Sequence, residues 1–269
     1  MVLFDLYSPG YGERMGNLSG KTALVTGGSR GIGRSIAQRL ARDGALVAVH
    51  YGTNETAAEE TAAGIVADGG RAFTVGAELG VSGDVEKLAA GLEEGLEARG
   101  ESAIDILVHN AGVNFMGRPI EVLAPEEFDR MIAVNVKAPL FLTQRLLPRM
   151  REGGRIINIS SVSTRVASSG GSIGYPLTKG ALDVFSRTLA KHLGPRGITV
   201  NAVGVGFTHT DMTADALADP AHLESTVGRT ALGRVGQAAD IADAVAFLAS
   251  DDARWITGTK VDVSGGVSL

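Results

Sequence analysis

Thr22-Ala-Leu-Val-Thr-Gly-Gly-Ser-Arg-Gly-Ile-Gly33 is the stretch from which the rest of the chain can be read. Its first five residues form a short apolar run of the kind that makes a parallel strand covered on both faces. Gly27-Gly-Ser-Arg-Gly-Ile-Gly33 follows without a break. Ile36, Ala37 and Leu40 then recur at helical spacing as far as Asp43-Gly44, a helix stop. Strand, glycine turn and helix in that order set backbone N–H groups and a helix N-terminus around a pyrophosphate. The glycine spacing, Gly27-x3-Gly31-x-Gly33, departs from the commoner G-x-G-x-x-G, so a plain βα turn is the competing reading. The setting favours a nucleotide.

Leu46-Val-Ala-Val-His50 reads as the second strand. A site selective for the unphosphorylated nicotinamide cofactor usually ends this strand in Asp or Glu, which grips the ribose 2′-OH. Here His50, Tyr51, Gly52, Thr53 and Asn54 come before the first acid, Glu55, and Arg30 inside the turn offers a guanidinium to a 2′-phosphate. Both features favour NADP(H), with NAD(H) as the alternative.

Strand and helix signals keep alternating downstream. Glu55 to Asp68 reads as helix, Arg71 to Ala77 as strand, Asp84 to Ala98 as helix and Ile104 to His109 as strand, ending in Asn110-Ala-Gly112. Pro125-Glu-Glu127 opens a helix that runs towards Met131, and Leu140 to Met150 reads as another. Between them Asn135 sits amid apolar residues, so its amide needs partners, as a structural hydrogen-bonder or in a polar relay. Arg155 to Ser160 is the fifth strand, Ser161 to Gly174 a flexible Ser/Gly stretch, and a helix follows from Tyr175 to Leu193-Gly194. Thr199 to Val203 is the sixth strand, Ile241 to Ala249 a helix and Lys260 to Val263 the last strand. Gly204 to Gly228, long and without clean periodicity, reads as a lid. The alternation predicts an α/β fold, a doubly wound seven-stranded parallel sheet with helices on both faces. Ligands then sit beyond the carboxyl ends of the strands, where Gly27, Asn110, Ser160, Ser161 and Gly204 all fall.

Composition sets the outer bounds. The 269 residues are 44% apolar and 20% charged, enough for a sizeable core and unlike a disordered chain. The net charge of -5 argues against nucleic acid as a partner. With no cysteine, disulfides and thiolate chemistry drop out and a cytoplasmic enzyme is expected. The histidines lack ligand spacing, so no metal is expected, and no apolar run is long enough to span a membrane. Residues 1–17 read as an N-terminal extension without the features of a signal peptide, with Met15 a second candidate start, and residues 18–269 as one catalytic domain.

Tyr175-Pro-Leu-Thr-Lys179 is the candidate for the chemistry, with a chance Tyr-x-x-x-Lys spacing as the competing reading. On a helix, Lys179 lies one turn beyond Tyr175 on the same face. A phenol normally ionises near pH ~10, and a fixed ammonium beside it would pull that value towards neutrality. Ser161, at the neighbouring strand end, would hold a carbonyl oxygen against the phenol. Pro176 disfavours α conformation at the preceding residue, so Tyr175 is expected to be the cap.

With these motifs in this order, the chain resembles the short-chain dehydrogenase/reductase family over Leu18 to Gly266. The resemblance rests on Thr26 to Gly33, His109-Asn-Ala-Gly112, Asn135, Ser161, Tyr175-x-x-x-Lys179 and Asn201 to Gly206. Within the family it is most similar to 3-oxoacyl-[acyl-carrier-protein] reductases, through Thr208-His-Thr-Asp-Met212 and Leu232-Gly-Arg-Val-Gly236. The resemblance implies ketone–alcohol interconversion with Tyr175 as general acid and Ser161 polarising the carbonyl. Lys179 would lower the Tyr175 pKa and hold the nicotinamide ribose, while Asn135 would hold a water linking Lys179 to solvent. It further implies cofactor contacts from Gly27, Ser29, Arg30, Gly31, Ile32 and Gly33 at the diphosphate and adenosine end. Tyr51, Thr53, Asn54, Glu78, Leu79, Asn110, Ala111 and Gly112 would line the cofactor, and Gly206, Thr208 and Thr210 would hold its nicotinamide end. Val205 stands where proline is usual, which suggests a looser lid hinge. His109 replaces the first of two asparagines.

The leading expectation is therefore an NADP(H)-dependent ketoreductase, with a sugar, polyol or secondary-metabolite dehydrogenase as alternative and a non-catalytic cofactor sensor as a remote one. A carrier-protein-linked substrate would want a basic patch. Arg196 fits such a patch, whereas acidic Glu152 does not. Relatives are usually tetramers, so a homotetramer, or else a homodimer, is expected.

Overall fold

The computed structural model describes residues 17–167 and 173–269. The proposed extension before residue 17 and the middle of the Ser/Gly stretch, residues 168–172, lie outside the described residues. The chain enters the core at Leu18, which is buried and donates its N–H to Asp43 O at 2.7 Å.

Seven strands form one parallel sheet in the order β3-β2-β1-β4-β5-β6-β7. They are β1 (Thr22–Val25), β2 (Leu46–Tyr51), β3 (Arg71–Gly76), β4 (Ile104–His109), β5 (Met150–Ser161), β6 (Thr199–Val205) and β7 (Lys260–Val263). Each residue of β1, β4 and β6 is buried because helices cover both faces, the reason these strands read as unbroken apolar runs. One layer packs α1 (Gly31–Arg42) and α9 (Ala238–Ala249) through Ile36, Leu40, Ile241 and Val245. The other packs α3 (Asp84–Glu97) and α5 (Ala138–Leu146) through Leu88, Leu92, Leu142 and Leu146. β1 pairs with both β2 and β4, so the strand order reverses there and a crevice opens at the strands' carboxyl ends. α2 (Glu55–Ala67) connects β2 to β3. Among the described residues no helix is long and apolar enough to cross a membrane.

Several boundaries differ from the sequence expectation. The helix expected over Leu140–Met150 ends at Leu146, because Pro148 sits in a 3-10 turn, Leu147–Arg149, that leads straight into β5. β5 accordingly begins at Met150, five residues early, pairing Ile104 with Met150 before a register shift. α4 (Pro125–Ile132) and α5 are joined by one π-turn, Ala133–Lys137, which carries Asn135. The segment expected to be a lid holds two short helices, α7 (Ala214–Ala218) and α8 (Pro220–Gly228), the second capped by Asp219, whose side chain accepts from Ala221 N at 3.0 Å. The hinge expected to be looser at Val205 is instead a strand residue paired on both sides, with Ser161 and with Val263. A valine keeps the ladder N–H that a proline lacks.

Two histidines bind the fold to pH. His109 is buried and its Nε2–H donates to Thr143 Oγ1 at 2.8 Å, since that hydroxyl gives its own proton to Pro139 O. Burial pushes its pKa down to about 3. Burial likewise pushes His50 down to about 4, against the bond to Ala77 O. Both folded values lie below the unfolded ~6.5, so the neutral form stabilises the fold above that pH and the benefit is lost as pH falls towards 4 and below. Each is worth on the order of 3–5 kcal/mol over the full range. The urea midpoint is therefore expected to drop between pH 7 and pH 5, and His109→Asn to flatten that slope.

Candidate active site

The glycine turn between β1 and α1 is held from behind by side chains. Asn110 Nδ2 donates to Thr26 O at 2.9 Å and to Gly27 O at 3.1 Å, and Thr26 Oγ1 accepts from the N–H groups of Asn110 and Ala111. His50 completes the brace. Its Nδ1 accepts from Gly27 N at 3.0 Å, and Nε2–H therefore donates to Ala77 O at 2.8 Å. The imidazole joins the turn to the loop that begins at Ala77. The sequence placed His50 merely where an acid was missing, and nothing in its spacing announced this role.

Gly33 shows how tightly the turn is folded. A Cβ there would lie 2.0 Å from Gly27 O and 2.5 Å from Asn110 Nδ2. The side chain is missing because the helix start presses on the turn. Ser29 is buried and its carbonyl accepts from Arg34 Nε at 3.0 Å, while Ile32 packs on the core. Arg30 caps α1 from outside, exposed, 3.6 Å from the Asp211 carboxylate of the lid. Thr210 of the lid approaches Gly31, whose added Cβ would meet it at 3.4 Å. The segment after β6 thus reaches the turn.

The other proposed cofactor residues divide into groups. Asn54 Oδ1 caps α2, accepting from Ala57 N at 3.0 Å, and Thr53 is exposed beside it. Tyr51 gives its phenol proton to Glu55 Oε1, and that bond raises its pKa to about 12. The first acid after β2 is thereby drawn towards Tyr51. Leu79 is buried, whereas Glu78 is exposed and pairs with Arg130 at 3.0 Å. Thr208 is buried, with Oγ1 donating to Gly206 O at 3.1 Å.

The proposed catalytic residues meet at the carboxyl ends of β4 and β5. Ser161 is the last residue of β5, and its Oγ accepts from Ser163 N at 3.1 Å and Ser163 Oγ at 2.9 Å. Both bonds point in, so the Ser161 proton is left to donate outward. α6 (Gly174–Leu193) starts one residue before the expected cap. Gly174 packs closely on α4: an added Cβ would meet Met131 Cε at 2.5 Å and displace the end of that side chain. Pro176 is tolerated because the first turn's N–H groups have no helical acceptor. Tyr175 is half-buried, and Lys179 Nζ lies 5.5 Å from the centre of its ring while donating to Ile159 O at 2.8 Å.

Burial governs both groups. It pushes Tyr175 up to about 12 and Lys179 down to about 8, the latter against the pull of Asp183. The expected fall of the Tyr175 pKa is thus reversed in the chain alone, because Lys179 faces the ring and binds a carbonyl. The phenol keeps its proton at neutral pH.

Asn135 lies across from them with both amide protons donated and one bond accepted by its carbonyl oxygen. Oδ1 accepts from Val113 N at 2.8 Å, and Nδ2 donates to Val113 O at 2.9 Å and to Thr178 Oγ1 at 3.0 Å. The side chain therefore staples the β4 exit loop to α6. A water held by Asn135 would use the backbone or the second acceptor site of Oδ1. Gly112 sits in the middle, where a Cβ would meet Asn135 Oδ1 at 3.3 Å and Lys179 Nζ at 3.4 Å. Sequence reasoning missed Thr178, Ser163, Asp183 and Lys260; all are polar residues in generic helix, turn or strand positions. A cavity of about 750 Å³ lies elsewhere, against α3 and α5, and a small one of about 130 Å³ runs under the lid at Gly206, Phe207 and Ser264. Among the described residues no three His, Asp or Glu side chains gather as a metal set.

The chain is similar to known proteins. The family model described as enoyl-(acyl carrier protein) reductase matches residues 27–268. The structure of the angucycline C-6 ketoreductase LanV with bound NADP is 56% identical and superposes with a TM-score of 0.90, over 95% of this chain and 98% of that one. The reductase LugOII, which catalyses keto-reduction at C1 during lugdunomycin biosynthesis, is 53% identical with a TM-score of 0.90, over 94% of this chain and all of the other. The 3-oxoacyl-[acyl-carrier-protein] reductase of Staphylococcus aureus is 41% identical over 254 residues, 93% of this chain and 98% of the relative.

Proposed function

Because the chain belongs to the short-chain dehydrogenase/reductase family, we propose that it is an NADPH-dependent reductase that converts a ketone to a secondary alcohol. The convergence of Ser161, Tyr175, Lys179 and Asn135 beside the glycine turn carries this reading. The turn suits a dinucleotide: it opens α1 with backbone N–H groups, and Gly33 has no room for a side chain. When bound, NADPH supplies the hydride.

The chain's own residues do the rest. Gly27 to Gly33 would cradle the diphosphate, and Arg30, paired here with Asp211, would exchange that carboxylate for the 2′-phosphate. Tyr51, Thr53, Asn54, Glu78 and Leu79 would flank the adenosine end, Asn110 to Gly112 would line the middle, and Gly206, Thr208 and Thr210 would hold the nicotinamide amide. Ser161 donates its free proton to the carbonyl oxygen, where negative charge develops. Tyr175 gives that oxygen its proton, and the phenolate left behind faces the Lys179 ammonium. A phenol that stays protonated to about 12 suits reduction, which needs an acid, better than oxidation, which needs a base.

Two outcomes test this. Lys179 must stay charged, so kcat/KM for reduction is expected to fall as pH rises through about 8, where the ammonium loses its proton. Arg30→Ala is expected to weaken NADPH binding while leaving NADH binding unchanged. Equal loss for both cofactors would move the phosphate contact elsewhere.

For the substrate we favour a fused-ring aromatic ketone over a carrier-bound 3-oxoacyl chain. The chain is more alike to LanV and LugOII than to the acyl-carrier reductase. Arg196, the base expected to meet a carrier protein, is tied down: Nε pairs with Glu152 at 2.8 Å and Nη2 donates to Met150 O at 2.6 Å. Comparing kcat/KM for a tetracyclic aromatic ketone and a 3-oxoacyl thioester decides the matter, and a preference for the thioester would reverse it. A cytoplasmic homotetramer is the assembly we propose. Exposed Leu140 and Phe141 on α5 and Leu177 and Val184 on α6 support it, and a monomer by light scattering would contradict it.

A further inference from the structure

Asp183 lies one turn beyond Lys179 on α6, on the face that also carries Tyr175. Its half-buried carboxylate gathers three donors from three different segments. Ser160 Oγ reaches Oδ1 at 2.6 Å, while Thr164 Oγ1 at 2.8 Å and Lys260 Nζ at 3.0 Å reach Oδ2. Ser160 precedes Ser161 on β5. Thr164, in the 3-10 turn Val162–Thr164, also lies 3.0 Å from the Ser161 carbonyl oxygen and accepts from Lys260. Lys260 comes from β7, so its side chain must cross β6 to arrive. It crosses at Gly204, where an added Cβ would meet Lys260 Cδ at 3.3 Å.

We propose that Asp183 and Lys260 are positioning residues, a buried-side ion pair that fixes the spacing between Ser161 on β5 and the Tyr175–Lys179 face of α6 and sets the electrostatic surroundings of Lys179. This rests on the ketone-reducing reading of that site. The polar Ser160, Thr164 and Ser161 segment has no other link to the catalytic helix among the hydrogen bonds described, apart from a long contact of Ser160 Oγ to Lys179 O at 3.4 Å.

The charged and titratable groups around Lys179 are Tyr175 and Asp183 on its own helix and Lys260 from β7, with the exposed Arg165–Asp262 pair further out. Asp183 favours the ammonium at Lys179 and opposes burial. Removing the Asp183 charge lowers the Lys179 pKa further. Removing the Lys260 charge leaves Asp183 uncompensated and raises it. A role in packing alone would destabilise both variants without moving the pH profile in opposite directions.

The experiment compares Asp183→Asn, Asp183→Glu and Lys260→Met with the wild type. Steady-state reduction of a ketone gives kcat, KM and the alkaline limb, and hydrogen exchange in the cofactor-free protein follows residues 159–164 and 174–180. Asp183→Asn is expected to lose up to about 100-fold in kcat, as misplaced groups do, with KM for NADPH unchanged and the limb at lower pH. Lys260→Met is expected to move the limb to higher pH, exchange is expected to quicken in both segments, and Asp183→Glu to recover most of kcat. Wild-type kcat, limb and exchange in both charge-removing variants would overturn the pair's role. If Asp183→Asn does not fold, an unmoved limb in Lys260→Met overturns it. Quicker exchange in a protein that reduces no ketone would count against the functional reading alone. Unchanged exchange in an active enzyme would count against the ion pair alone.

Discussion

Replacing Tyr175 by phenylalanine is expected to lower ketone reduction by about 10²–10⁴-fold, the usual contribution of a positioned acid, with far smaller change in NADPH affinity. The substitution removes one oxygen from a half-buried ring whose surroundings, Thr178 Oγ1 on the Tyr175 carbonyl and Lys179 over the ring face, do not depend on the hydroxyl. The fold should therefore survive. Ser161 can still hold the carbonyl, but no other described side chain stands ready to deliver the proton. Matching NADPH titrations and steady-state rates for the two proteins check the result. Full turnover in the phenylalanine variant would remove Tyr175 from the mechanism.

Gly33→Ala is expected to weaken NADPH binding by roughly 10- to 100-fold, equivalent to about 1–3 kcal/mol of overpacking strain. The new methyl would collide with backbone, Gly27 O at 2.0 Å and Gly27 C at 2.8 Å, so no side-chain rotation relieves it. Moving the turn breaks the bonds from Asn110 Nδ2 to Gly27 O and from Gly27 N to His50 Nδ1. It also tilts the start of α1, whose N–H groups are to meet the diphosphate. A fluorescence titration reads the affinity and a thermal melt reads the strain. The same methyl at Gly180, which has nothing within 4 Å, is the control.

The sequence exposed the sheet because buried parallel strands write themselves as apolar runs. Leu46–His50 and Ile104–His109 are two whose limits fall within a residue of the structure. The candidate site was legible for the same reason: glycines and the Tyr175–Lys179 spacing mark local geometry, and strand ends gather them. What stayed hidden depends on contacts distant in sequence. His50 bracing Gly27 across 23 residues, and Lys260 reaching Asp183 across 77, leave no periodic trace. Asn135 was visible as a buried amide, yet only the π-turn shows that its amide grips Val113 and Thr178. The direction of the Tyr175 shift was missed because the spacing put Lys179 beside the phenol, whereas the ammonium lies against the ring and burial outweighs it.

The most direct test of ketone reduction mixes the purified protein with NADPH and a tetracyclic aromatic ketone, follows NADPH absorbance and identifies the product by mass spectrometry. The account predicts that one NADPH disappears for each secondary alcohol formed. A protein that binds NADPH tightly yet leaves it unoxidised with aromatic ketones, acyl thioesters and sugars alike would contradict it.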